Sequence, residues 1–230
     1  SYSLRILISN YKFKIMNILV IGANGKIGQK IVNKIHSNSP HDAIAMVRKE
    51  SQKDQFEKKG IKTVIGDLEK DFGHAYEGNN AVVFTAGSGG HTGDDKTKAI
   101  DQQGAIKAID LAVQHKYTRF MMVSAFGADF NPSEWPENMA TYYNAKSAAD
   151  DYLQQTGLEY TIFKPGLLTD DEPKGKVDFG ERTDERSGSI PRWDVADVVV
   201  KSLEAENTYR KSLELLSGPY RIEEAIENVK

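Results

Sequence analysis

The chain has 230 residues, of which 39% are hydrophobic and 27% are charged, and this fits one globular domain that can bury a full core. Its formal net charge of −3 excludes a global positive field that would recruit nucleic acid or an anionic membrane. The absence of cysteine excludes disulfides and thiolate metal sites and is compatible with a reducing compartment, so we expect a cytoplasmic protein.

Residues 1–15 precede the first methionine, Met16, which stands directly before the first apolar run. Their own apolar run, 4–8, is interrupted by Arg5 and is far shorter than the roughly 20 residues of a membrane span. Nothing in this segment resembles a cleavable signal. We therefore expect an N-terminal extension, added to the chain or poorly ordered, followed by a single domain at residues 16–230.

From Met16 onward, short β-branched runs alternate with helical patterns. The runs are almost continuously apolar, which is typical of strands buried on both faces of a sheet. The predicted strands are 17–21, 43–47, 62–65, 81–85, 119–124, 160–163 and 211–216, and the predicted helices are 25–36, 51–59, 97–115, 139–155, 193–204 and 222–229. This alternation predicts an α/β fold in which a doubly wound parallel sheet carries helices on both faces.

The stretch 167–191 interrupts the alternation, because it is long, polar and rich in glycine and charged residues. Such a composition predicts little contribution to the core. A loop of this length in a compact domain is either functional or disordered. Since it follows the sixth strand, whose carboxyl end faces the ligand crevice, we expect a small, mobile substrate-side flap, with a solvated loop as the alternative.

The segment 22–28 reads Gly-Ala-Asn-Gly-Lys-Ile-Gly between the first strand and the first helix. Gly22 allows a tight turn, Gly25 lets backbone amides approach a pyrophosphate, and Gly28 lets the helix pack closely on the sheet. The free amides and the positive dipole end of the helix would face the phosphates. A glycine triplet can also mark a simple turn, but its place between strand and helix favours a dinucleotide site.

The residues that follow the next three strands indicate which dinucleotide is bound. Arg48 stands about 20 residues beyond Gly28, where a site that prefers NAD carries an acid for the ribose. A guanidinium pairs well with a 2′-phosphate, so Arg48 favours NADP over NAD, unless it is an ordinary surface arginine. Asp67 could accept a hydrogen bond from the adenine amino group or cap a helix. Ala86 and Gly87 are small enough for backbone to pass beneath the cofactor.

A tyrosine and a lysine, Tyr142 and Lys146, are spaced i, i+4 on the predicted helix 139–155, which stacks them on one face. An ammonium beside a phenol favours the phenolate and should lower the tyrosine pKa from about 10 toward the range of a general acid or base. Ser124, at the end of the fifth strand, is placed to hydrogen-bond a substrate oxygen. The same spacing also occurs on ordinary amphipathic helices, but its position after the glycine motif and Ser124 favours a functional site.

Together these patterns resemble the short-chain dehydrogenase/reductase superfamily, in particular its atypical, NmrA-like and flavin-reductase-like members, over residues 16 to about 228. The motifs that carry the resemblance are Gly22-Ala23-Asn24-Gly25-Lys26-Ile27-Gly28, Val47-Arg48, Gly66-Asp67-Leu68, Val123-Ser124-Ala125, Tyr142 to Lys146, Phe163-Lys164-Pro165-Gly166-Leu167-Leu168 and Trp193-Asp194-Val195-Ala196-Asp197-Val198. The resemblance implies a Rossmann-like fold, a nicotinamide side lined by the Pro-Gly segment, and helix capping by Asp194.

From these patterns and this resemblance, we expect the cofactor to contact Gly22, Asn24, Gly25, Lys26, Ile27, Gly28, Arg48, Asp67, Leu68, Ala86, Gly87, Lys146, Pro165, Gly166 and Leu167. Two departures from the family pattern stand out. Asp101 occupies the place of an active-site asparagine, where its carboxylate would compete for Lys146, stabilise the ammonium and alter the proton relay. The chain also lacks the large C-terminal domain of sugar-nucleotide epimerases, so a large sugar nucleotide is not expected.

These observations predict an NADP(H)-dependent oxidoreductase, with NAD as the weaker alternative, that acts on a small carbonyl or conjugated substrate. The catalytic residues would be Tyr142 as proton donor, Lys146 at the nicotinamide ribose, Ser124 at the substrate oxygen, and Asp101 through Lys146. Two alternatives stay open, an NADP(H)-binding redox sensor without turnover and an isomerase or epimerase that recycles its cofactor. We expect a small-molecule substrate, no metal, nucleic-acid or membrane partner, and leave a homodimer open.

Overall fold

The computed structural model describes residues 15–89 and 93–230, so the expected extension lies, apart from Ile15, outside the described residues. The strands are β1 (Asn17–Ile21), β2 (Asp42–Val47), β3 (Lys62–Ile65), β4 (Ala81–Phe84), β5 (Arg119–Val123), β6 (Glu159–Pro165), β7 (Leu167–Thr169), β8 (Lys176–Gly180), β9 (Ser189–Pro191), β10 (Lys211–Ser217) and β11 (Tyr220–Arg221). The α-helices are α1 (Lys26–Asn38), α2 (Asp54–Glu57), α3 (Asp94–Lys96), α4 (Ala105–Gln114), α5 (Ala140–Gln154), α6 (Arg192–Lys201) and α7 (Ile222–Glu227). No helix in this described part of the chain combines the length and apolar character needed to cross a membrane.

The main sheet has nine strands in the order β11-β8-β10-β6-β5-β4-β1-β2-β3. The pairings from β3 to β10 are parallel, whereas β8 and β11 add an antiparallel edge. The chain turns back between β1 and β4, and this switch point opens a crevice at the carboxyl ends of the strands. The predicted Rossmann-like, doubly wound parallel sheet is therefore confirmed.

The core has two layers, one on each face of the sheet. In β1, Ile18 and Val20 belong to the layer under α1, α6 and α7, while Leu19 and Ile21 belong to the layer under α4 and α5. Successive strand residues point to opposite faces, so a strand covered on both sides must be apolar throughout. This explains why the apolar runs predicted the central strands nearly residue for residue.

The prediction that residues 167–191 contribute little to the core is wrong. The stretch forms β7 and β9, which pair with each other, and β8, which pairs with β10. Val177 and Phe179 point into the core, and the ring of Phe179 stacks on Phe163 with centroids 5.8 Å apart. Two apolar residues spaced i, i+2 are enough for a strand near the edge of the sheet, and the charged residues around them hide that signal. Movement of this stretch as a flap stays a prediction.

The glycine turn holds β1 and α1 close together. Gly22 has φ +86°, and the amide of Gly25 donates to the Gly22 carbonyl over 2.9 Å. A Cβ at Gly28 would lie 2.2 Å from the same carbonyl oxygen. The third glycine of the motif is therefore required by the close approach of helix and turn, as predicted.

We expect Gly28→Ala to lower the free energy of unfolding by about 1–3 kcal/mol, the usual cost of overpacking, although alanine favours a helix over glycine. Gly157→Ala is the matched control, because a Cβ there meets nothing within 4 Å. Urea unfolding of both variants measures the difference. Equal stability of the two variants would contradict the steric explanation.

Candidate functional site

A cleft of about 380 Å³ lies at the carboxyl ends of β1 to β4. We call it the dinucleotide cleft. It is lined by Ile21, Gly22, Asn24, Gly25, Met46, Val47, Arg48, Gln52, Gly66, Asp67, Leu68, Thr85, Ala86, Gly87, Ser88, Lys96 and Ile100. The residues predicted after each of the first four strands therefore meet in one place. Lys26, Ile27 and Gly28 lie outside this lining, behind the turn.

One end of the dinucleotide cleft is formed by the turn before α1. Asn24, Gly25 and Lys26 are exposed there, and Gly25 precedes the helix without a side-chain hydrogen bond that would cap it. The first amides of a 13-residue helix have no intrahelical acceptor, and they carry the positive end of its dipole. These features fit the pyrophosphate of a dinucleotide, which would accept from those amides.

The other end of the cleft is formed by the loops after β2 and β3. The exposed Arg48 and its neighbour Lys49 donate their backbone amides to Oε1 of Gln52 over 2.9 and 3.1 Å, which fixes the start of this loop. Oδ1 of Asp67 accepts the amide of Glu69 over 3.1 Å, so Asp67 caps its own turn as well as lining the cleft. The positions of Arg48 and Asp67 fit the ribose and adenine of a dinucleotide.

Lys146 and Asp101 form a buried ion pair beyond the cleft. Their Nζ and Oδ1 atoms are 2.9 Å apart, and the two side chains are only 7% and 1% exposed. Burial alone would lower the pKa of Lys146, but the neighbouring Tyr142 and Asp101 outweigh it and raise the pKa. The lysine is thus held as an ammonium, which is the competition predicted for Asp101.

Asp101 lies in a π-helical stretch, Thr97–Gly104, between α3 and α4. Its Oδ2 accepts the backbone amide of Ser88 over 3.0 Å, which ties the loop after β4 to the ion pair. The sequence predicted an ordinary helix over 97–115, because the apolar pattern does not distinguish a wider turn. Such π-helical turns often occur at functional sites.

Tyr142 lies on the same face of α5 as Lys146, with its ring centre 5.7 Å from Nζ. Lys146 acts to lower the tyrosine pKa as predicted, but the predicted net lowering is wrong. Burial raises the pKa of Tyr142 above 10, and although the charge of Lys146 opposes this, the charge of Asp101 adds to it. Asp101 offsets part of the effect of the ammonium, and burial decides the direction of the shift.

Ser124 follows β5, and its amide continues the strand ladder by donating to the Phe163 carbonyl over 2.7 Å. Its Oγ donates to Oδ2 of Asp150 over 2.8 Å, and the two residues are 5% and 3% exposed. The hydroxyl is therefore engaged by a buried acid. Its contact with a substrate oxygen stays a prediction.

Three charged residues of this site were not predicted: Asp150, Lys164 and Asp129. Asp150 follows Lys146 by one helical turn, and burial raises its pKa to about 7 against the opposing effects of the Ser124 hydrogen bond and of Lys164. The buried Lys164 lies 3.1 Å from Oδ2 of Asp129. The spacing of Tyr142, Lys146 and Asp150 could have revealed the acid, because all three repeat every four residues.

Aromatic side chains of the segment between β5 and α5, together with two from the first turn of α5, form what we call the aromatic wall. It consists of Phe126, Phe130, Trp135, Tyr142 and Tyr143. Trp135 stacks on Tyr143 at 5.8 Å and donates its Nε1 hydrogen to the Gly127 carbonyl, and the Arg186 guanidinium lies 5.1 Å from the Phe130 ring. These contacts hold the rings of the segment between β5 and α5 in fixed orientations.

The Pro-Gly segment after β6 is fixed by packing. A Cβ at Gly166 would lie 2.3 Å from the Gly188 carbonyl oxygen, and the amide of Leu167 donates to that oxygen over 2.9 Å. Pro165 accepts the amide of Phe126 over 2.9 Å, and it extends β6 toward Ser124. Pro165, Gly166 and Leu167, which we predicted to contact the cofactor, lie outside the lining of the dinucleotide cleft.

Two further expectations concern α1 and α6. Lys26 forms an ion pair with Asp170, which also lies 2.8 Å from Arg192, so the predicted cofactor residue is paired with the 167–191 stretch. Asp194 does not cap α6 as the resemblance implied. Its carboxylate instead accepts the backbone amides of Lys174 and Gly175 over 2.8 and 3.0 Å. The residue is buried in the third position of the helix and anchors that loop.

Comparisons with known proteins agree with this geometry. The sequence model of a family described as NAD(P)H-binding matches residues 22–206. The chain is 42% identical to the "uncharacterized sugar epimerase YhfK" of Bacillus subtilis over 217 residues, 93% of this chain and 100% of that protein. It is 26% identical to sanguinarine reductase of Eschscholzia californica over 261 residues, 94% of each chain.

Among solved structures, a putative NAD-dependent epimerase/dehydratase from Bacillus halodurans matches with a TM-score of 0.88 and 42% identity, over 92% of this chain and 99% of that one. The chain therefore belongs to the NAD(P)H-binding family and is an atypical, NmrA-like short-chain dehydrogenase/reductase. The predicted family is confirmed.

We expect Asp101→Asn to lower the free energy of unfolding by about 3–5 kcal/mol, because it leaves the buried ammonium of Lys146 without its counter-charge. Adding Lys146→Met removes that charge and should recover most of the loss. Urea unfolding of the two single variants and the double variant gives the coupling energy. If the losses of the two single variants simply add in the double variant, the ion pair does not stabilise the contact between these two helices.

Proposed function

We propose that this member of the NAD(P)H-binding family is an NADP(H)-dependent reductase that acts on a small carbonyl or conjugated substrate. A bound nicotinamide dinucleotide would supply the hydride. The observation that carries the proposal is the grouping of Tyr142, Lys146 and Ser124 at the carboxyl end of the sheet, where the dinucleotide cleft ends. A protein that only binds a nucleotide could use Lys146 to hold the ribose, but it has no need for a proton donor such as Tyr142 beside it.

The ionisation of these residues favours reduction over oxidation. The raised pKa of Tyr142 keeps its phenol protonated at neutral pH, so it can give a proton to the substrate oxygen and is a poor base. Lys146 is fixed as an ammonium by Asp101 and can donate a hydrogen bond to a ribose hydroxyl. Ser124 would donate to the same substrate oxygen as Tyr142.

The aromatic wall supports a planar, conjugated substrate. Its rings are partly exposed and held in place by mutual stacking, so a flat molecule could pack on them at little entropic cost. The name of the relative sanguinarine reductase supports a reductase role, at 26% identity. The segments after β6 extend and cover the sheet as β8, β10, β11, α6 and α7, so they do not form a separate domain for a large substrate.

An NAD(P)-dependent epimerase is the second candidate, because two relatives at 42% identity carry epimerase in their names. Such an enzyme would use the same dinucleotide cleft but return the hydride to its substrate. It would then convert one epimer to the other with no net change in NADPH. This property separates it from the reductase in one assay.

Arg48 should set the preference for NADPH. Arg48→Ala should weaken NADPH binding by roughly 1.5–3 kcal/mol, the scale of hydrogen bonds to charged groups, and leave NADH binding nearly unchanged. Lys49→Ala is the matched control, since this neighbour is also exposed but does not line the cleft. Calorimetric titration with both nucleotides measures the effect. Equal affinity of the unchanged protein for NADPH and NADH would refute NADP preference.

Tyr142→Phe should lower turnover by about 10²-fold or more, the scale of a lost general acid, with NADPH affinity nearly unchanged. Tyr143→Phe, at the adjacent position of the aromatic wall, is the control and should keep most of the rate. NADPH oxidation is followed with a panel of quinones, aldehydes and ketones. Turnover that survives Tyr142→Phe would rule out the assigned proton donor.

Two other outcomes of this panel decide between the candidate functions. An unchanged protein that interconverts epimers without net NADPH oxidation would favour the epimerase. An unchanged protein with no turnover at all would favour a sensor that binds NADP(H) as a signal. In the sensor, only changes that weaken cofactor binding, such as Arg48→Ala, would have consequences.

A further inference from the structure

The hydroxyl hydrogen of Ser124 can point in either of two directions, toward Asp150 or away from it. Oγ and Oδ2 are 2.8 Å apart in a buried setting, and Ser124 now donates to the acid. A hydroxyl has a single hydrogen, so Ser124 cannot donate fully to a substrate oxygen at the same time. When Asp150 carries a proton, the carboxyl can donate to Oγ instead, and the serine hydrogen is released.

We propose that Asp150 is a positioning residue whose protonation turns the Ser124 hydroxyl toward the substrate, so that the reductase works best with this buried acid neutral. The inference rests on the proposed function, because it assigns Ser124 to the substrate oxygen. It adds a residue, Asp150, that would not touch the substrate or the cofactor. The proton for the substrate still comes from Tyr142.

Burial favours the neutral form of Asp150, although the charges of Lys164 and Lys146 oppose it. On α5 it faces Lys146 and Tyr142, from β6 it faces Lys164, and from the loop after β5 it faces Asp129. Both ammonium groups already have carboxylate partners, because Lys146 pairs with Asp101 at 2.9 Å and Lys164 pairs with Asp129 at 3.1 Å. Asp150 is thus the third carboxylate beside two cations.

The hydrogen-bond partners of Asp150 also indicate a neutral acid. Its Oδ1 atom is buried and has no hydrogen-bond partner among the described residues. A fully ionised carboxylate in such a place would normally accept several hydrogen bonds. The pKa of Asp150, which burial raises to about 7, places its change of charge in the physiological range. Asp129, by contrast, stays ionised, because Lys164 and Arg182 outweigh the effect of burial and lower its pKa.

The tyrosine and the lysine that face Asp150 do not titrate near neutral pH. Tyr142 and Lys146 both have pKa values raised above 10, so neither changes charge near neutrality. The value of kcat/KM for NADPH-dependent reduction should therefore be constant below pH about 7 and fall about tenfold for each pH unit above it. The fall ends where the remaining donor, Tyr142, supports the reaction alone.

The test compares pH profiles of kcat/KM for the unchanged protein, Asp150→Asn and Asp151→Asn. Asp150→Asn has the shape of the neutral acid but cannot titrate, so the fall above pH 7 should disappear. Asp151→Asn removes an exposed carboxylate at the next position and should keep the fall. A fall of the same size and midpoint in Asp150→Asn would overturn the proposal. Thermal unfolding confirms that each variant is folded.

A second measurement needs no turnover. The carboxyl carbon of Asp150, labelled with ¹³C and assigned by its loss in Asp150→Asn, is titrated by NMR without cofactor. We expect a midpoint near 7 that moves to higher pH in Ser124→Ala, because the serine hydrogen bond stabilises the charged form. A midpoint below about 5, or one unaffected by Ser124→Ala, would overturn the proposal.

The two measurements distinguish failure of the inference from failure of the proposed function. If the NMR midpoint is near 7 and responds to Ser124→Ala while no substrate is reduced, the protonation-dependent hydroxyl is supported and the reductase function falls. If substrates are reduced but the pH profile does not depend on Asp150, the reductase function stands and the positioning role falls.

Discussion

The ion pair between Lys146 and Asp101 sets the electrostatics of the whole candidate site. An ammonium that is nearly inaccessible to water is stable only beside a counter-charge, and here that charge comes from a different helix. The pair fixes α5 against the π-helical stretch and, through the amide of Ser88, against the loop after β4. Three segments that carry the site therefore share one buried contact.

The same pair accounts for the ionisation of its neighbours. Asp101 offsets part of the effect of Lys146 on Tyr142, and burial, the largest influence, raises the tyrosine pKa so that the phenol keeps its proton. For Asp150, one turn further along α5, burial likewise outweighs the opposing charges of Lys164 and Lys146. A free ammonium at Lys146 would favour both a phenolate and a carboxylate. The charge of Asp101 thus acts on two neighbouring ionisable groups, because it raises the pKa of both Lys146 and Tyr142.

The sequence predicted those features that depend on local constraints. The central strands were predicted from apolar runs, and the glycine turn was predicted from backbone geometry that Gly22 and Gly28 still require in the structure. The dinucleotide cleft followed, because parallel strands bring their carboxyl ends together. The direction of the Tyr142 pKa was not predictable in this way. It depends on how deeply the tyrosine is buried and on a charge that arrives from another helix.

The residues that the sequence did not reveal also depend on contacts between distant parts of the chain. Lys164 reads as one polar residue in an apolar strand, and only the fold places Asp129 against it. Likewise, Val177 and Phe179 are two apolar residues among charges, and only pairing with β10 makes them part of the core. Long-range pairing and burial, rather than local propensity, decided each of these cases.

The same network limits how the stretch 167–191 can move. Asp129, which pairs with Lys164, also lies 3.2 Å from Arg182, and Arg182 lies 2.8 Å from the buried Glu214 of β10. Glu214 further accepts the amide and hydroxyl of Thr183. Opening the whole stretch would leave a buried carboxylate without partners, which is costly. Arg182 and Thr183 both lie in the turn between β8 and β9, and Asp194 accepts two amides of the turn between β7 and β8, so both turns are tied to the rest of the domain by buried carboxylates.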